Sequence, residues 1–308
     1  MTTPKLLPLQ TTTLALGFFG ALTLLGVGFT ARGATSPDIE PTILATKMPA
    51  GDPPRLFAFT YSTESGVKGE LRLNGVVMAE FSGKGSSGST NRPQLWLMPG
   101  RNRLELAVLL DAKGAKVAAT QPLVQVRLHG LAEPGIPDES NTMLSVALAP
   151  EVRKAGQRIR EAYEFALDQA PPAELWSRAA KLEAVEPADR QVLIGLANQL
   201  VAAFKAKDAE VVTRLLRFVR EDSARAMGEP AKLDPADIAE QVKLWAPVAK
   251  RLPILKPAMR EVQLVGDGRV VRLAQRGGQP CFVTPHGGGK LSLELYFAKL
   301  DGAWALVR

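Results

Sequence analysis

The 308-residue sequence contains one cysteine, Cys281. A single cysteine excludes an internal disulfide, so the chain is stabilised by its apolar cores alone. It also excludes a lipid-modified cysteine near the N-terminus. Cys281 stands in the apolar run CFV, which reads as a small buried hydrophobe. Histidine is nearly absent: His129 and His286 are too few for a histidine-rich metal site. HExxH, paired-cysteine and Asp-rich calcium patterns are missing, so no metal and no cofactor is expected. There is no G-x-S-x-G elbow, which leaves His286-Gly287-Gly288-Gly289 as a mobile hairpin loop rather than an oxyanion loop. Gly83-Lys84 is followed by Gly85, where a phosphate-binding loop needs Ser or Thr, and by a strand rather than a helix. Aromatics are scarce, at 6%. No run of Lys and Arg is interleaved with them, so nucleic acid is not an expected partner.

What is present is an ordinary globular composition, 46% hydrophobic and 22% charged, with a formal net charge of +7. Leaving out residues 1–34 removes Lys5 and Arg32 and no acid, giving +7 − 2 = +5. Lys5 precedes an uncharged apolar run, Leu14 to Phe29, and Ala31-Arg32-Gly33 follows with small residues. This pattern reads as an export signal, or as an inner-membrane anchor over residues 6–31, and places the rest in the periplasm or another extracytoplasmic space. The sequence leaves cleavage open, since Arg32 is an awkward neighbour for a cleavage site. Residues 35–54 are Pro-rich and aperiodic, and read as a linker.

Residues 55–130 alternate in the period of a strand, with Asn74-Gly75 as a hairpin turn and Leu104, Leu106, Val108 and Leu110 on one face. Residues 82–92 (SGKGSSGSTNR) read as a flexible loop. The expectation is a small all-β antiparallel sandwich. Residues 131–185 read as a connection with bridging helices, because Val152, Ala155, Ile159, Ala162 and Ala166 recur at helical spacing. A shorter helix with Leu175, Trp176 and Leu182 follows. From 186 onward, three helices carry start signals: Pro187 with Asp189, Asp208, and Asp234 with Pro235. After Pro253 the period changes to two, and Asp301-Gly302 closes a last hairpin between LELYFAKL and AWALVR. Helices followed by a curved antiparallel sheet make an α+β cone, so the whole is a multidomain protein. Its last piece, 186–308, is expected to fold alone.

Two stretches carry a resemblance. QVLIGLANQLVAAFKAKDAEVVTRLL is similar to the opening helix pair of the nuclear transport factor two-like superfamily, and LELYFAKLDGAWALVR resembles its last two strands. The similarity covers about 120 residues, Pro187 to Arg308. It implies the cone fold and no activity, because that superfamily holds ketosteroid isomerase-like and polyketide cyclase-like enzymes beside many non-catalytic binding domains. LWLMPGRNRLELAV weakly resembles the closing part of immunoglobulin-like or jelly-roll accessory domains.

An enzyme of the isomerase or cyclase type needs a general base with a tuned pKa. Most acids of residues 186–308 stand at helix starts or turns. Glu294 shares a strand face with Tyr296, and with Trp245 these form the candidate ligand-binding pocket; no catalytic residue is assigned. Trp96 reads as a core tryptophan rather than a sugar platform. The expectation is a non-enzymatic cell-envelope protein that binds a protein partner or small ligand. The alternatives are a pocket enzyme in the cone, and a scaffold or immunity-type protein occupying another protein's site.

Overall fold

The computed structural model describes residues 39–49, 52–90, 92–118, 120–230, 234–256, 260–286 and 289–308. The apolar N-terminal run lies outside them. Among the described residues no helix is long and apolar enough to cross a membrane. The chain is mixed α/β, about 40% strand and 25% helix, with a nearly closed sheet and several helices.

The first sheet has seven strands: β1 (Thr42–Leu44), β2 (Leu56–Leu73), β3 (Val76–Thr90), β4 (Gly100–Leu110), β5 (Val124–Leu131), β6 (Thr142–Leu148) and β7 (Arg158–Leu167). Their order is β1-β7-β4-β2-β5-β6, with β3 on β2. The organising element is β2. Its first half pairs with β5 from Leu56↔Leu131 to Thr63↔Val124, and its second half with β4 from Val67↔Leu110 to Leu73↔Leu104. The change of partner falls at Gly66, where the pairing with β3 also shifts register between Ser65 and Lys68. Gly66 has φ +86, and a Cβ there would meet Gly114 N at 2.1 Å. The bend therefore depends on glycine. Asn74-Gly75 closes β2 onto β3 as the sequence implies, with Leu73↔Val76 the last pair.

The segment before β2 closes the sheet. β1 pairs in parallel with β7, Thr42↔Tyr163 to Leu44↔Phe165, and Lys47 N then donates to Met143 O of β6 at 2.9 Å. Part of the expected linker thus lies across both outer strands and covers backbone groups that would otherwise template association.

Two local readings are corrected here. Residues 82–92 were expected to be a flexible loop, but Ser82 to Thr90 continue β3, paired from Lys68↔Ser82 to Phe59↔Thr90. Residues 152–166 were expected to be helical, but Arg158–Leu167 is β7, paired along its length with β4. The alternation Ile159, Glu161, Tyr163, Phe165, Leu167 matches β4, and this non-local pairing overrides the helical spacing of small residues. Bridging helices are reduced to one turn, α2 (Leu175–Arg178), with α1 (Pro93–Trp96) before β4.

Three longer helices follow: α3 (Pro187–Ala206), α4 (Ala209–Ala226) and α5 (Pro235–Ala249). Their starts follow the sequence signals. The Asp208 carboxylate accepts from Val211 N at 3.0 Å, and that of Asp234 from Ala236 N at 2.8 Å, satisfying first-turn donors. They pack on a second sheet formed by β8 (Arg260–Val265), β9 (Val270–Gln275), β12 (Leu295–Leu300) and β13 (Ala303–Leu306), in the order β13-β12-β9-β8. β10 (Phe282–His286) and β11 (Gly289–Leu293) form a separate hairpin closing at His286↔Gly289; Gly287 and Gly288 lie outside the described residues. The Asp301-Gly302 turn is as expected, with Leu300↔Ala303 flanking it.

The second sheet has two covered faces. Val271, Leu273, Leu295, Phe297 and Leu306 pack with the three helices in one core. Val270, Tyr296, Ala298 and Leu300 belong to the other core, shared with the seven-stranded sheet, α1 and α2. Residues 186–308 therefore do not bury their own sheet completely.

Candidate functional site

Alternation in β9 and β12 sends Arg272 and Tyr296 to the face that meets the seven-stranded sheet. Arg272 stands opposite Tyr296 in the ladder. Glu294 sits in the break between β11 and β12, where its carboxylate reaches both. Arg272 Nη2 donates to Glu294 Oε1 at 2.6 Å, the Tyr296 hydroxyl donates to Oε2 at 2.6 Å, and Arg272 Nη1 donates to Gln263 Oε1 at 2.9 Å. Arg272's side chain is 5% exposed and Glu294's 24%.

Burial acts to raise the Glu294 pKa, but the Arg272 charge and the hydrogen bonds from Tyr296 and Arg272 outweigh it, and the carboxyl stays below its ordinary range. Burial and then the Glu294 charge push the Tyr296 phenol far above its usual value. Across the junction, Glu70 and Glu80 are direct cross-strand neighbours on β2 and β3. Arg72 Nε holds Glu70 at 2.7 Å. Glu80 is exposed and has no such partner among the described residues: partial burial, then the charges of Glu70 and Glu294, raise its pKa against the opposing pull of Arg272 and Arg72. A fixed, ionised carboxylate with both oxygens engaged is a poor general base.

An aromatic group lies beside this network. Trp96 contacts Tyr296 edge-on at 4.7 Å and Trp176 at 6.4 Å. Arg308 stacks over Trp96 at 5.8 Å, and its Nη2 donates to Asp222 Oδ2 at 2.8 Å. Asp222 is fully buried, and its Oδ1 accepts from Glu174 N and Leu175 N at the start of α2. The turn beneath requires glycine: a Cβ on Gly266, at φ +59, would meet the Trp176 ring at 2.8 Å.

The third expected pocket residue is elsewhere. Trp245 on α5 packs with Phe204 at 6.1 Å in the helix-facing core. The structure brings Glu294 and Tyr296 together and leaves Trp245 on the other side of the sheet. Phe204, Phe282 and Phe297 are each 1% exposed or less in that core. Trp96 is buried, as read from the sequence. Trp304 is half-buried, and its indole N–H donates to Asp189 Oδ1 at 2.7 Å. Cys281 is fully buried, and burial pushes its thiol up to about 12, which makes it unreactive. Buried His129 is held by Thr60 and by the 138–142 turn. Among the described residues no group of three His, Cys, Asp or Glu side chains could hold a metal ion.

A cavity of about 450 Å³ escapes sequence reasoning altogether. It lies between the start of β2, the end of β3, α1 and the 131–137 loop, lined by residues that include Phe57, Ala58, Ser89, Gln94, Leu131 and Pro134. Gln94 is fully buried. Its Oε1 accepts from Phe57 N at 2.5 Å, and its Nε2 donates to Arg55 O at 2.8 Å and to Ala226 O of α4. The amide thus joins both sheets' surroundings at the cavity floor, and the walls are mainly apolar. Its size falls within the range of small-molecule sites. Two of its walls come from segments that read as a loop and a connection, so no sequence signal marked it. No protein-family model, curated protein or solved structure matches the chain.

Proposed function

We propose that the protein is a non-enzymatic cell-envelope protein whose extracytoplasmic part binds a protein partner or small ligand. The observation that carries the reading is the state of Glu294. The carboxylate best placed to act as a base in residues 186–308 is held ionised by Arg272 and Tyr296 of its own sheet, on the face that meets the seven-stranded sheet. The aromatic filling of the helix-facing core is further support, because it occupies the space a cone enzyme would use for substrate. The cavity beside Gln94 is the binding site in this reading.

The finer architecture belongs to the same proposal: a β-sandwich followed by a nuclear transport factor two-like cone, with the second sheet sealed on both faces. The scaffold alternative draws on the same sealed junction. The pocket-enzyme alternative requires Glu294 to leave its arginine.

Two experiments test the reading. Turnover of enolisable ketones or esters should be absent; activity that Glu294→Gln abolishes with the thermal melt unchanged would overturn it. A photo-crosslinking residue in place of Ile136, which is 89% exposed beside the cavity, should capture a defined product in cells. Ser89→Trp, which fills the cavity mouth, should remove that product.

A further inference from the structure

We propose that the end of the seven-stranded sheet formed by the β2 bend, the β4–β5 loop and the 150–158 loop docks on an anionic phospholipid surface. Backbone contacts hold these segments together. Asp111 N donates to Gly66 O at 2.8 Å, Leu110 N to Gln157 O at 3.0 Å, and Gly156 N to Leu110 O at 2.8 Å. The Arg153 guanidinium fastens the loops further, donating to Val117 O at 3.0 Å, Ala118 O at 2.8 Å and Gln121 O at 2.6 Å.

Cations gather on this end. Lys68, Leu109 and Arg158 stand in one cross-strand row, and Glu70, Ala107 and Arg160 in the next on the same face. Lys84 pairs with Ser65 at the bend. Lys113, Lys116 and Lys154 rise from the loops, and all these cations are exposed. Residues 63–69, 82–86, 111–117 and 150–160 together hold eight Lys and Arg against three acids, Glu64, Asp111 and Glu151. The local excess is 8 − 3 = +5. Asp111 is committed to the backbone N–H groups of Lys113 and Gly114. Nearby, Glu70 is held by Arg72 and Glu161 by Tyr163. No side-chain ion pair answers Lys68, Lys84, Lys113, Lys116, Lys154, Arg158 or Arg160 among the described residues.

Three features select a lipid surface over another anion. Val152 projects from the same loop at 58% exposure, an apolar tip among cations. Such a tip suits the headgroup boundary of a bilayer and has no use on a phosphate backbone. Among the described residues the exposed part of this end carries no aromatic platform for stacking bases. On the envelope reading, moreover, residues 32–38 reach at most ~25 Å. Ile39, whose carbonyl accepts from Arg103 Nη2 at 3.2 Å, lies ~20 Å along β4 from Leu109. A membrane-anchored chain can therefore lay this end on the bilayer. That tether rests on the envelope reading; the charged surface does not.

The test uses the full chain with Val152→Cys carrying an environment-sensitive dye; buried Cys281 stays unlabelled at neutral pH. The dye reports contact at this end however the rest of the chain meets the vesicle. Vesicles containing phosphatidylglycerol should shift its emission to the blue, and pure phosphatidylcholine vesicles should not. About 0.5 M salt should reverse the shift. Lys113→Gln, Lys154→Gln and Arg158→Gln together should lower the contact equilibrium about 100-fold, near fivefold for each charge. All three are exposed, and an unchanged melt would show that the fold is kept. Equal shifts on neutral vesicles, or no loss in the triple variant, would overturn the proposal. So would tighter binding to a DNA duplex than to the anionic vesicles. A chain that is exported yet shows no dye response would sink this inference and leave the envelope reading standing.

Discussion

The two faces of the β8–β9–β12–β13 sheet are built by different rules. Toward the helices it presents mainly apolar side chains, Val271, Leu273, Leu295, Phe297 and Leu306, with polar groups at its margins in buried Arg260 and the Trp304–Asp189 hydrogen bond. Toward the seven-stranded sheet it presents Val270, Tyr296, Ala298 and Leu300 with Arg272 among them, and the charge is matched by Glu294. The first face is held by area and shape, the second by area and a directional network. The difference gives a carboxylate, a phenol and an arginine a structural part at this junction. They seal a junction in which dropping any partner leaves another without its mate.

The largest effect should come from uncovering the second face. Residues 186–308 expressed alone should fail to give a soluble, cooperatively melting domain, because Val270, Tyr296, Ala298 and Leu300 lose their cover. A fragment that melts with the cooperativity of the full chain would show the first face to be sufficient. Next in size, Phe297→Ala, at a fully buried position on the helix side, should cost about 3–5 kcal/mol in denaturant unfolding.

On the other face, Arg272→Leu should cost about 2–3 kcal/mol, near the low end for a broken buried pair because Glu294 keeps some water. Arg272→Leu with Glu294→Gln should recover part of that loss; equal losses in the single and double variants would show that no coupling exists. The smallest effect belongs to Glu80. Glu80→Gln removes a like charge opposite Glu70 and should stabilise the fold at neutral pH by about 0.2–1 kcal/mol, less in high salt.

The pH dependence sharpens the contrast, because the two carboxyls have opposite signs. The Glu294 pKa is depressed in the folded state, so its contribution is present above its ordinary value of 4.5 and is lost as pH falls through the folded pKa. The Glu80 pKa is raised, so the folded state binds the extra proton, and stability falls as pH rises from 4.5 through its folded pKa. Denaturation curves across this range should lose the second trend in Glu80→Gln and keep the first.

The sequence revealed elements whose signals are local. Asp301-Gly302 and Asn74-Gly75 demand positive φ, and both turns form. Asp208 and Asp234 cap the helices they were expected to cap. What stayed hidden was set by distant partners. Ser82 to Thr90 have no apolar alternation, yet they form strand because they pair with β2. Arg158–Leu167 carries both a helical spacing of small residues and a strand spacing of Tyr163, Phe165 and Leu167, and only β4 decides between them. At the candidate site, the sharing of a face by Glu294 and Tyr296 follows from their spacing of two. Arg272 as their partner, the seven-stranded sheet as the surface they meet and the cavity beside Gln94 all depend on long-range packing. Trp245, expected beside the pair in the candidate pocket, lies on a helix face that packs into the other core.

That Arg272 and Tyr296 hold the Glu294 carboxyl ionised decides how this junction is read. The most direct test is the titration of the Glu294 side-chain carboxyl followed by carbon-13 NMR in the intact protein, with Arg272→Leu as the comparison. The midpoint should lie below 4.5 in the natural sequence and move upward when Arg272 is lost. A midpoint raised toward neutrality in the natural sequence would mark a carboxylate poised to take a proton and would contradict that reading.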